Sequence, residues 1–487
     1  MNKPLKRIAF ACFALLAALM INVNYIQAFE ADTLQKKPSN GRTIIERYQR
    51  DRGPIYVGNT KVAYSVATNG VYKYKRVYKN GPLYSPITGM YSLYSTTGVE
   101  LAENDLLDGT SDKLFVHRLM DQLTGKPPKG ASVLTTINKK AQKVAYNGLR
   151  NAGNRGAVVA LEPKTGKILA MATNPSYDPN LFSSFNGKKL AHVSKRLTKM
   201  KSQPMLNRTI QNTYPPGSTF KVVTSAAALG TGNYSPDSVV PAPDTYKPPQ
   251  TTRTMQNDSG ESCGNGSTTT LGHALEMSCN TAYAMLGVKL GAGKMEGTTK
   301  KFGFGDPDLT VPMPVTKSIF PQGLSPAFLA QASIGQYDTR VTPMQMAMVA
   351  SAVADGGQIM RPHVVDQVKG ADGSTVEKIA PEEYRKPMDS EEASKLGDMM
   401  KLVVSGPDGT GKTAAIPGVQ VAAKTGTAQN APGKPPHAWM IAFAPADDPK
   451  VAVAVMVESG GKLGGDGYGA RVSGPIAQEV MRAVLGR

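Results

Sequence analysis

Apolar residues along this chain fall into runs of three kinds. The first is one long stretch over residues 8–21, preceded by Lys3, Lys6 and Arg7 and continuing to Phe29. A basic start before an apolar run is an export signal. Its strictly apolar length is short of the ~20 residues of an ordinary span, which leaves a cleaved signal peptide open. The best cleavage position, after Ala28, has Ile26 where a small residue is wanted, and this favours an uncleaved anchor. Residues 1–29 are therefore expected to be a cytoplasmic tail and signal-anchor helix, with Met1 to Arg7 too few for an inner-face signalling domain.

The second kind has strand length. Residues 157–161 and 168–172 flank Lys164-Thr165-Gly166 and predict a hairpin with that tripeptide at its tip. Residues 419–427, 437–445 and 450–458, separated by Pro, Gly and Asp, predict an antiparallel meander. The third kind is helical. Residues 219–229 are apolar and Ala-rich and stop at Gly230, a favoured residue just past a helix end. Residues 270–277 and 281–288 read as two helices joined at Ser278-Cys279-Asn280. Residues 474–485 predict an amphipathic helix covering the sheet, with Pro475 at its first position. The stretch 237–262, rich in Pro, Thr and Asp, reads as a flexible surface excursion, and Trp439 as a strand residue buried between sheet and helix.

Three short polar motifs fall on these elements in order: Ser218-Thr219-Phe220-Lys221, Ser278-Cys279-Asn280, and Lys424-Thr425-Gly426-Thr427. S-x-x-K, then S-x-N, then K-T-G is the signature of active-site serine enzymes that penicillin acylates. A serine hydroxyl is a weak nucleophile and needs a base within hydrogen-bond reach. Spacing i, i+3 on a helix puts two side chains on one face, about 5–6 Å apart at Cβ. Pro215-Pro216-Gly217 forces an extended entry, and Ser218 is then of N-cap type. The plain alternative for Ser218, as for Ser278, is an ordinary helix cap.

The chain also repeats each pattern elsewhere. Ser459-Gly460-Gly461-Lys462 sits among glycines that predict a mobile loop with no helix to hold its lysine. Ser184-Phe185-Asn186 precedes Ser218 in a polar loop, the wrong order, and Lys164-Thr165-Gly166 is a hairpin tip. Residues 406–413 satisfy the P-loop pattern letter for letter, but a working P-loop opens a helix at its Lys-Thr end. Pro417 and Gly418 leave no room for one, so no nucleotide is expected.

At 487 residues, 40% hydrophobic and 19% charged, the chain should hold more than one domain. A formal charge of +19 suits anionic headgroups and wall polymers. Nucleic acid is not expected, since the basic residues are dispersed, Lys195-Arg196 and Lys199 to Lys201 being the densest, without aromatic stacking partners. Of three cysteines, Cys12 lies in the anchor. Cys263 and Cys279 are exported, where disulfides persist, and form either a bridge beside the S-x-N turn or two free thiols. Five scattered histidines give no zinc spacing, and no metal or cofactor is expected.

With these pieces assembled, the chain resembles a class B penicillin-binding protein of the short actinobacterial PbpA type. Asn40-Gly41-Arg42, Arg52-Gly53-Pro54-Ile55, Tyr84-Ser85-Pro86-Ile87-Thr88-Gly89 and Thr97-Gly98-Val99-Glu100-Leu101 are similar to the family's membrane-proximal region. Leu134-Thr135-Thr136-Ile137-Asn138 and the run from Gly156 to Gly166 look like the first strands of its transpeptidase sheet. Asn207-Arg208 before Tyr214, and Gly335-Gln336 with Val341-Thr342-Pro343, are similar in the same way.

The resemblance implies an α/β (α+β) penicillin-binding transpeptidase fold: an antiparallel five-stranded sheet flanked by helices with an all-helical side, an elongated pedestal, and one anchor helix. It implies domains at 1–29, 30–140 and 141–487. Ser218 would be the nucleophile, Lys221 its base, Ser278 with Lys424 the proton relay to the leaving amine, and Asn280 a ligand of the donor amide. Thr425, Gly426 and Thr427 would bind the donor, the two hydroxyls holding its terminal carboxylate, and the amides of Ser218 and Thr427 would form the oxyanion hole.

The implied reaction cross-links D-Ala-D-Ala stem peptides of peptidoglycan on the extracytoplasmic face and is blocked by β-lactams. The implied partners are the cell membrane, a polytopic SEDS-type glycan polymerase and other division or elongation proteins. Water as acceptor would make the chain a carboxypeptidase or β-lactamase instead, but a minimal hydrolase has no place for residues 30–140. A silent penicillin-binding scaffold is the alternative outside enzymes.

Overall fold

The computed structural model describes residues 3–35, 41–125, 129–153, 155–430 and 433–487. The first two residues of the expected tail, and Asn40 of the Asn40-Gly41-Arg42 motif, lie outside them. The apolar N-terminal run forms helix α1 (Lys3–Tyr25), which continues as a π-helical turn over Ile26–Glu30. Together they give 28 residues containing an 18-residue window of mean hydropathy 2.0, with no side chain buried against the rest of the chain. That length is enough for one bilayer crossing.

The catalytic-type sheet is built from β5 (Gly156–Leu161), β6 (Ile168–Asn174), β9 (Ala422–Ala428), β10 (His437–Ala444) and β11 (Val451–Val457), in the order β9-β10-β11-β5-β6, all antiparallel. Its strands read as nearly continuous apolar runs because both faces are covered. Along β11, Val453 and Val455 pack with Val158 and Ala160 under helices α5 (Lys139–Ala152) and α11 (Gly469–Leu485). Ala452, Ala454 and Met456 point the other way, with Trp439 and Phe443, toward α9 (Pro343–Ala354) and α10 (Ser390–Ser405). The period-2 alternation of a strand thus feeds two cores. The meander starts at Ala422, three residues later than the pattern predicts, because Val419 is used in a turn bridged to Ile416.

Pro475 does not open the last helix. That helix begins at Gly469, where any Cβ would run into the backbone of Trp439 and Gly426, so the chain crosses the sheet closely before the apolar periodicity begins. Pro475 sits inside the helix, where it withholds one backbone donor near the N-terminal end.

A second sheet gathers the strands between the apolar helix and the first sheet. It comprises β1 (Ile55–Val57), β2 (Thr60–Ala67), β3 (Tyr74–Tyr78) and β4 (Ser132–Thr135), extended by β7 (Val365–Lys369) and β8 (Thr375–Lys378) in the order β8-β7-β4-β1-β2-β3. Two of its six strands therefore come from more than two hundred residues downstream. They rigidly couple this sheet to the catalytic part. Helix α3 (Gly81–Thr88) adds to the coupling, packing against both β2 and β6.

The same region buries three charged side chains. Glu100 accepts from Arg52 Nε at 2.7 Å, Arg76 Nε at 2.6 Å and Tyr78 Oη at 3.1 Å. Arg52 also stacks 4.2 Å from the Tyr91 ring centroid. Burial alone would push the Glu100 carboxyl up, but the guanidiniums of Arg76 and Arg52 outweigh it and hold the group below its usual range. Removing one member leaves the others charged and dry. Glu100→Ala should cost about 3–5 kcal/mol, read as a lower urea midpoint, because two buried guanidiniums lose their counter-ion. A change within error would show that water reaches the cluster.

Candidate active site

Ser218 is held by clamps on both sides of the Pro215-Pro216-Gly217 turn. Tyr214 and Val341 exchange backbone bonds of 2.9 and 2.8 Å, and Gly217 N donates to Gly335 O at 2.9 Å. Trp439 Nε1 donates to Pro215 O at 3.0 Å, so the buried indole doubles as an anchor for the turn. Gly217 has φ +54°, and a Cβ there would lie 2.6 Å from Thr427 O. Only glycine lets this turn close against β9.

Ser218 is not an N-cap. Gly217–Phe220 form a 3₁₀ turn that runs directly into α6 (Lys221–Leu229), and no side chain caps it. The positive φ of Gly217 starts the helical winding before Ser218, which frees the hydroxyl from capping duty. With three residues per turn, i and i+3 eclipse, so Ser218 and Lys221 share a face. Gly230 also departs from expectation. Its φ is −69°, and the left-handed residue of this connection is Gly232 at +73°.

Ser278 lies between α7 (Leu271–Glu276) and α8 (Asn280–Leu290) with φ +67°, a left-handed bend that costs a non-glycine residue on the order of 1–3 kcal/mol. The bend aims its hydroxyl at two lysines. Lys424 Nζ donates to Ser278 Oγ at 2.7 Å and to Thr425 O at 3.1 Å. Lys221 Nζ donates to Ser278 O at 2.6 Å, Asn280 Oδ1 at 2.7 Å and Ser278 Oγ at 3.3 Å. Residues from three distant segments, 218–221, 278–280 and 424–427, thus meet at one hydroxyl.

Both ammonium groups are fully buried. Burial pushes Lys221 down to about 7, with the Asp258 carboxylate pulling the other way. Burial, then the charge of Lys221, drives Lys424 well below the usual lysine range.

The 237–262 stretch is not a loose excursion. Residues Val239–Pro241 pair with Thr268–Thr270, and Thr245–Tyr246 with Met255–Gln256. Asn257 Oδ1 accepts from the backbone N–H of Asn280 at 2.8 Å and of Thr281 at 3.1 Å, the cap that Cys279 cannot supply. Asn280 Nδ2 donates to Asp258 Oδ1 at 3.1 Å and Gln256 O at 3.2 Å, which fixes its Oδ1 toward Lys221. Cys263 and Cys279 are disulfide-bonded with Cα atoms 6.0 Å apart, tying the strap to the S-x-N turn.

Thr425, Gly426 and Thr427 lie on β9. A Cβ on Gly426 would sit 2.8 Å from Thr219 Cγ2 and 3.0 Å from Trp439 Cβ, so glycine lets the strand touch the serine turn. Thr425 Oγ1 lies 2.9 Å from Thr410 Oγ1, and Thr410 Oγ1 donates to Glu276 O at 3.2 Å. Thr410 belongs to the P-loop-like stretch, which opens only a 3₁₀ turn at Lys412–Ala414 and reaches β9 through the Thr410–Thr425 contact.

Asn257, Asp258 and Thr410 went unnoticed in the sequence because their roles depend on a fold-back with no local periodicity. The other repeats of the motifs lie outside this cluster. Asn186 Oδ1 caps the helix Gly187–Lys199 through Lys189 N at 3.0 Å, and Phe185 stacks 4.4 Å from Tyr72. Ser459, at φ +51°, lies in a kinked run of short turns over Glu458–Asp466 that gives its lysine no helix, and it is fixed because Ser459 N donates to His437 Nδ1 at 3.1 Å and Gly460 packs on Gly467. Its neighbour Glu458 is held by Arg208, Arg155 and Tyr214.

Two family descriptions match the chain: "Penicillin binding protein transpeptidase domain" over residues 156–482 and "Penicillin binding protein A dimerisation domain" over residues 52–133. The peptidoglycan D,D-transpeptidase PbpA of Mycolicibacterium smegmatis is 43% identical over 493 residues, covering 100% of this chain and 99% of the relative. Its namesake from Mycobacterium tuberculosis is 42% identical with the same coverage. Among solved structures, the ceftriaxone acyl-enzyme of penicillin-binding protein A from M. tuberculosis superposes with a TM-score of 0.87 at 41% identity, over 91% of this chain and 100% of that one. The penicillin G acyl-enzyme of that protein gives 0.84 at 42% identity, over 90% and 100%.

The geometry predicts that Asn257→Ala uncaps α8. Loss of an N-cap acceptor costs about 0.5–2 kcal/mol. Thermal unfolding should fall by that amount while Asn257→Asp retains stability. Equal losses in both variants would mean that the cap is not what Asn257 contributes.

Proposed function

The chain belongs to the class B penicillin-binding proteins and is a peptidoglycan D,D-transpeptidase, and we propose that its acyl transfer runs through Ser218 with Lys221 as base. The observation that carries this reading is the Ser278 hydroxyl shared between Lys221 and Lys424. A neutral Lys221 has two N–H donors, matched by its two short bonds to Ser278 O and Asn280 Oδ1. Its lone pair is then left for the Ser218 proton. A pKa near 7 makes that neutral form accessible at working pH.

Deprotonated Ser218 attacks the carbonyl carbon of the penultimate D-alanine of a stem peptide. The developing oxyanion is received by the backbone amides of Ser218 and Thr427, each such donor typically worth ~10²–10³ in rate. As the C–N bond breaks, Ser278 gives its proton to the leaving nitrogen and is resupplied from Lys424. Ser278 Oγ accepts from Lys424 Nζ at 2.7 Å, so its own hydrogen is the one free to move. Terminal D-alanine departs, having been held by Asn280 at the donor amide and by Thr425 and Thr427 at the carboxylate. An amine from a neighbouring stem then attacks the Ser218 ester, loses its proton along the same relay, and regenerates the serine. With a β-lactam, the leaving nitrogen stays tethered to the acyl group, which blocks this second step.

We further assign residues 1–29 to a tail and uncleaved anchor, 30–140 to a pedestal and 141–487 to the transpeptidase domain, with catalysis on the extracytoplasmic face. The long apolar helix and the two family matches support this division. β7 and β8 cross it to complete the pedestal sheet. A SEDS-type glycan polymerase of the division or elongation machinery is the proposed partner, since a cross-linking enzyme needs fresh glycan strands.

Fluorescent penicillin should acylate the protein once, at Ser218, and Ser218→Ala should abolish labelling; persistent labelling of the alanine variant would overturn the mechanism. The acylation rate should rise with pH through about 7 as Lys221 loses its proton. Because the Asp258 carboxylate raises the Lys221 pKa, Asp258→Asn should move that acid limb to lower pH. Stopped-flow acylation across a pH range bracketing neutrality reads this directly, and a limb that stays put or moves up would contradict Lys221 as the titrating base.

A further inference from the structure

Helix α4 (Phe115–Leu123) is mounted with its apolar face outward. Phe115, Val116, Leu119, Met120 and Leu123 recur at i, i+1, i+4, i+5 and i+8, one face of a helix. All five are exposed, from 44% at Leu119 to 73% at Leu123, and no residue of the helix is buried. The polar side is the one fastened to the body. Arg118 Nη1 donates to Gly109 O at 3.2 Å, and His117 Nε2 lies 2.9 Å from Ser374 Oγ in the turn between β7 and β8. Lys113, just before the helix, pairs with Glu377 on β8 at 2.6 Å. A surface helix of a soluble protein packs the other way round.

From this inversion we propose that α4 is an interfacial helix that inserts its apolar face into the bilayer surface beside the chain's own anchor. Its place in the chain supports that occupant. From Glu30, where the apolar helix ends, to Gly41, where α2 (Gly41–Arg47) begins, the chain can reach at most about 30 Å, because Ala31–Gln35 is itself helical. α2 and the 104–110 segment line one cleft of about 570 Å³, and Arg118 bonds the far end of that segment at Gly109. The helix is thus kept near the point where the chain leaves the membrane. Exposed Lys129 follows it in the chain, a charge that anionic headgroups favour.

A second copy of the chain is the rival occupant. The patch measures on the order of 500 Å², within the range of the largest patches on monomers. A stable protein interface needs about 800 Å² per partner. A bilayer sets no such minimum. Docking by this helix would fix the pedestal's tilt and so the height of the Ser218 cleft above the membrane.

The inference rests on the anchor reading of residues 1–29, and the test separates the two. Full-length Leu119→Trp protein is placed in nanodiscs of phosphatidylglycerol and phosphatidylcholine, with and without acyl-brominated lipid. Native Trp439 is fully buried and supplies a constant background. The expected result is a blue-shifted emission from the introduced indole, quenched by bromine, with no added quenching for Asp121→Trp on the opposite side. Leu123→Trp is the second reporter should Leu119→Trp misfold, and fluorescent penicillin labelling certifies the fold of each. Failure to enter nanodiscs would overturn the anchor reading. Entry with emission no more quenched than that of the unsubstituted chain would overturn the interfacial helix, as would quenching replaced by Leu119→Cys cross-links between copies.

Discussion

Two lysine side chains buried side by side are the constraint on which the rest of this molecule depends. An ammonium taken out of water without a full counter-charge is costly, and a second one beside it adds repulsion. Among the described residues, no carboxylate lies in salt-bridge contact with Lys221 or Lys424; Asp258 acts on them only at longer range. Neutral or hydrogen-bonding oxygens take that place: two backbone carbonyls, the Asn280 amide and the Ser278 hydroxyl. A carboxylate in contact would hold Lys221 protonated and bar it from the role of base proposed for it. The arrangement therefore keeps a lysine in a place where it is barely able to stay charged, and the surroundings must be rigid enough to prevent water or a loop from restoring the charge.

Rigidity comes from packing on every side of the cluster. The central sheet is buried on both faces, so β9 cannot shift without disturbing two cores. Trp439, opposite Gly426 in the register, fills the space behind the strand and also holds the serine turn through Pro215. From the other side, Asn257 and the Cys263–Cys279 bond fix the start of α8, and with it the strained φ of Ser278. Each support acts on backbone rather than on the reacting side chains, whose hydrogen bonds are left free to rearrange.

Much of this was legible in the sequence, and the limits have physical causes. The five strands were readable because covering a sheet on both faces demands unbroken apolar runs. The three motifs were readable because their chemistry constrains residue type at fixed spacing. Gly230 misled because a helix can end in ordinary right-handed geometry and leave the left-handed residue to Gly232. Pro475 misled because Gly469 must cross the sheet before the helix turns amphipathic. The strap at 255–262 was opaque for a deeper reason. Its order comes from one disulfide and a few amide hydrogen bonds to residues far along the chain, and composition rich in Pro, Thr and Asp looks the same whether or not such partners exist.

The part of the chain built on β1–β4 inverts the usual distribution of polarity, and the membrane-proximal role proposed for it accounts for both halves of the inversion. In that proposed role it would transmit position from a membrane to a cleft, so it must not bend. The Arg52–Glu100–Arg76 cluster suits this, since a buried, doubly bridged carboxylate tolerates little displacement before its hydrogen bonds fail. β7 and β8 then weld the pedestal sheet to the catalytic part. A body that is stiff from end to end has its orientation set by whatever holds its base. One chain attachment cannot set it, because a single attachment leaves rotation free. The docking proposed for the outward apolar face of α4 would supply the second attachment that removes this freedom.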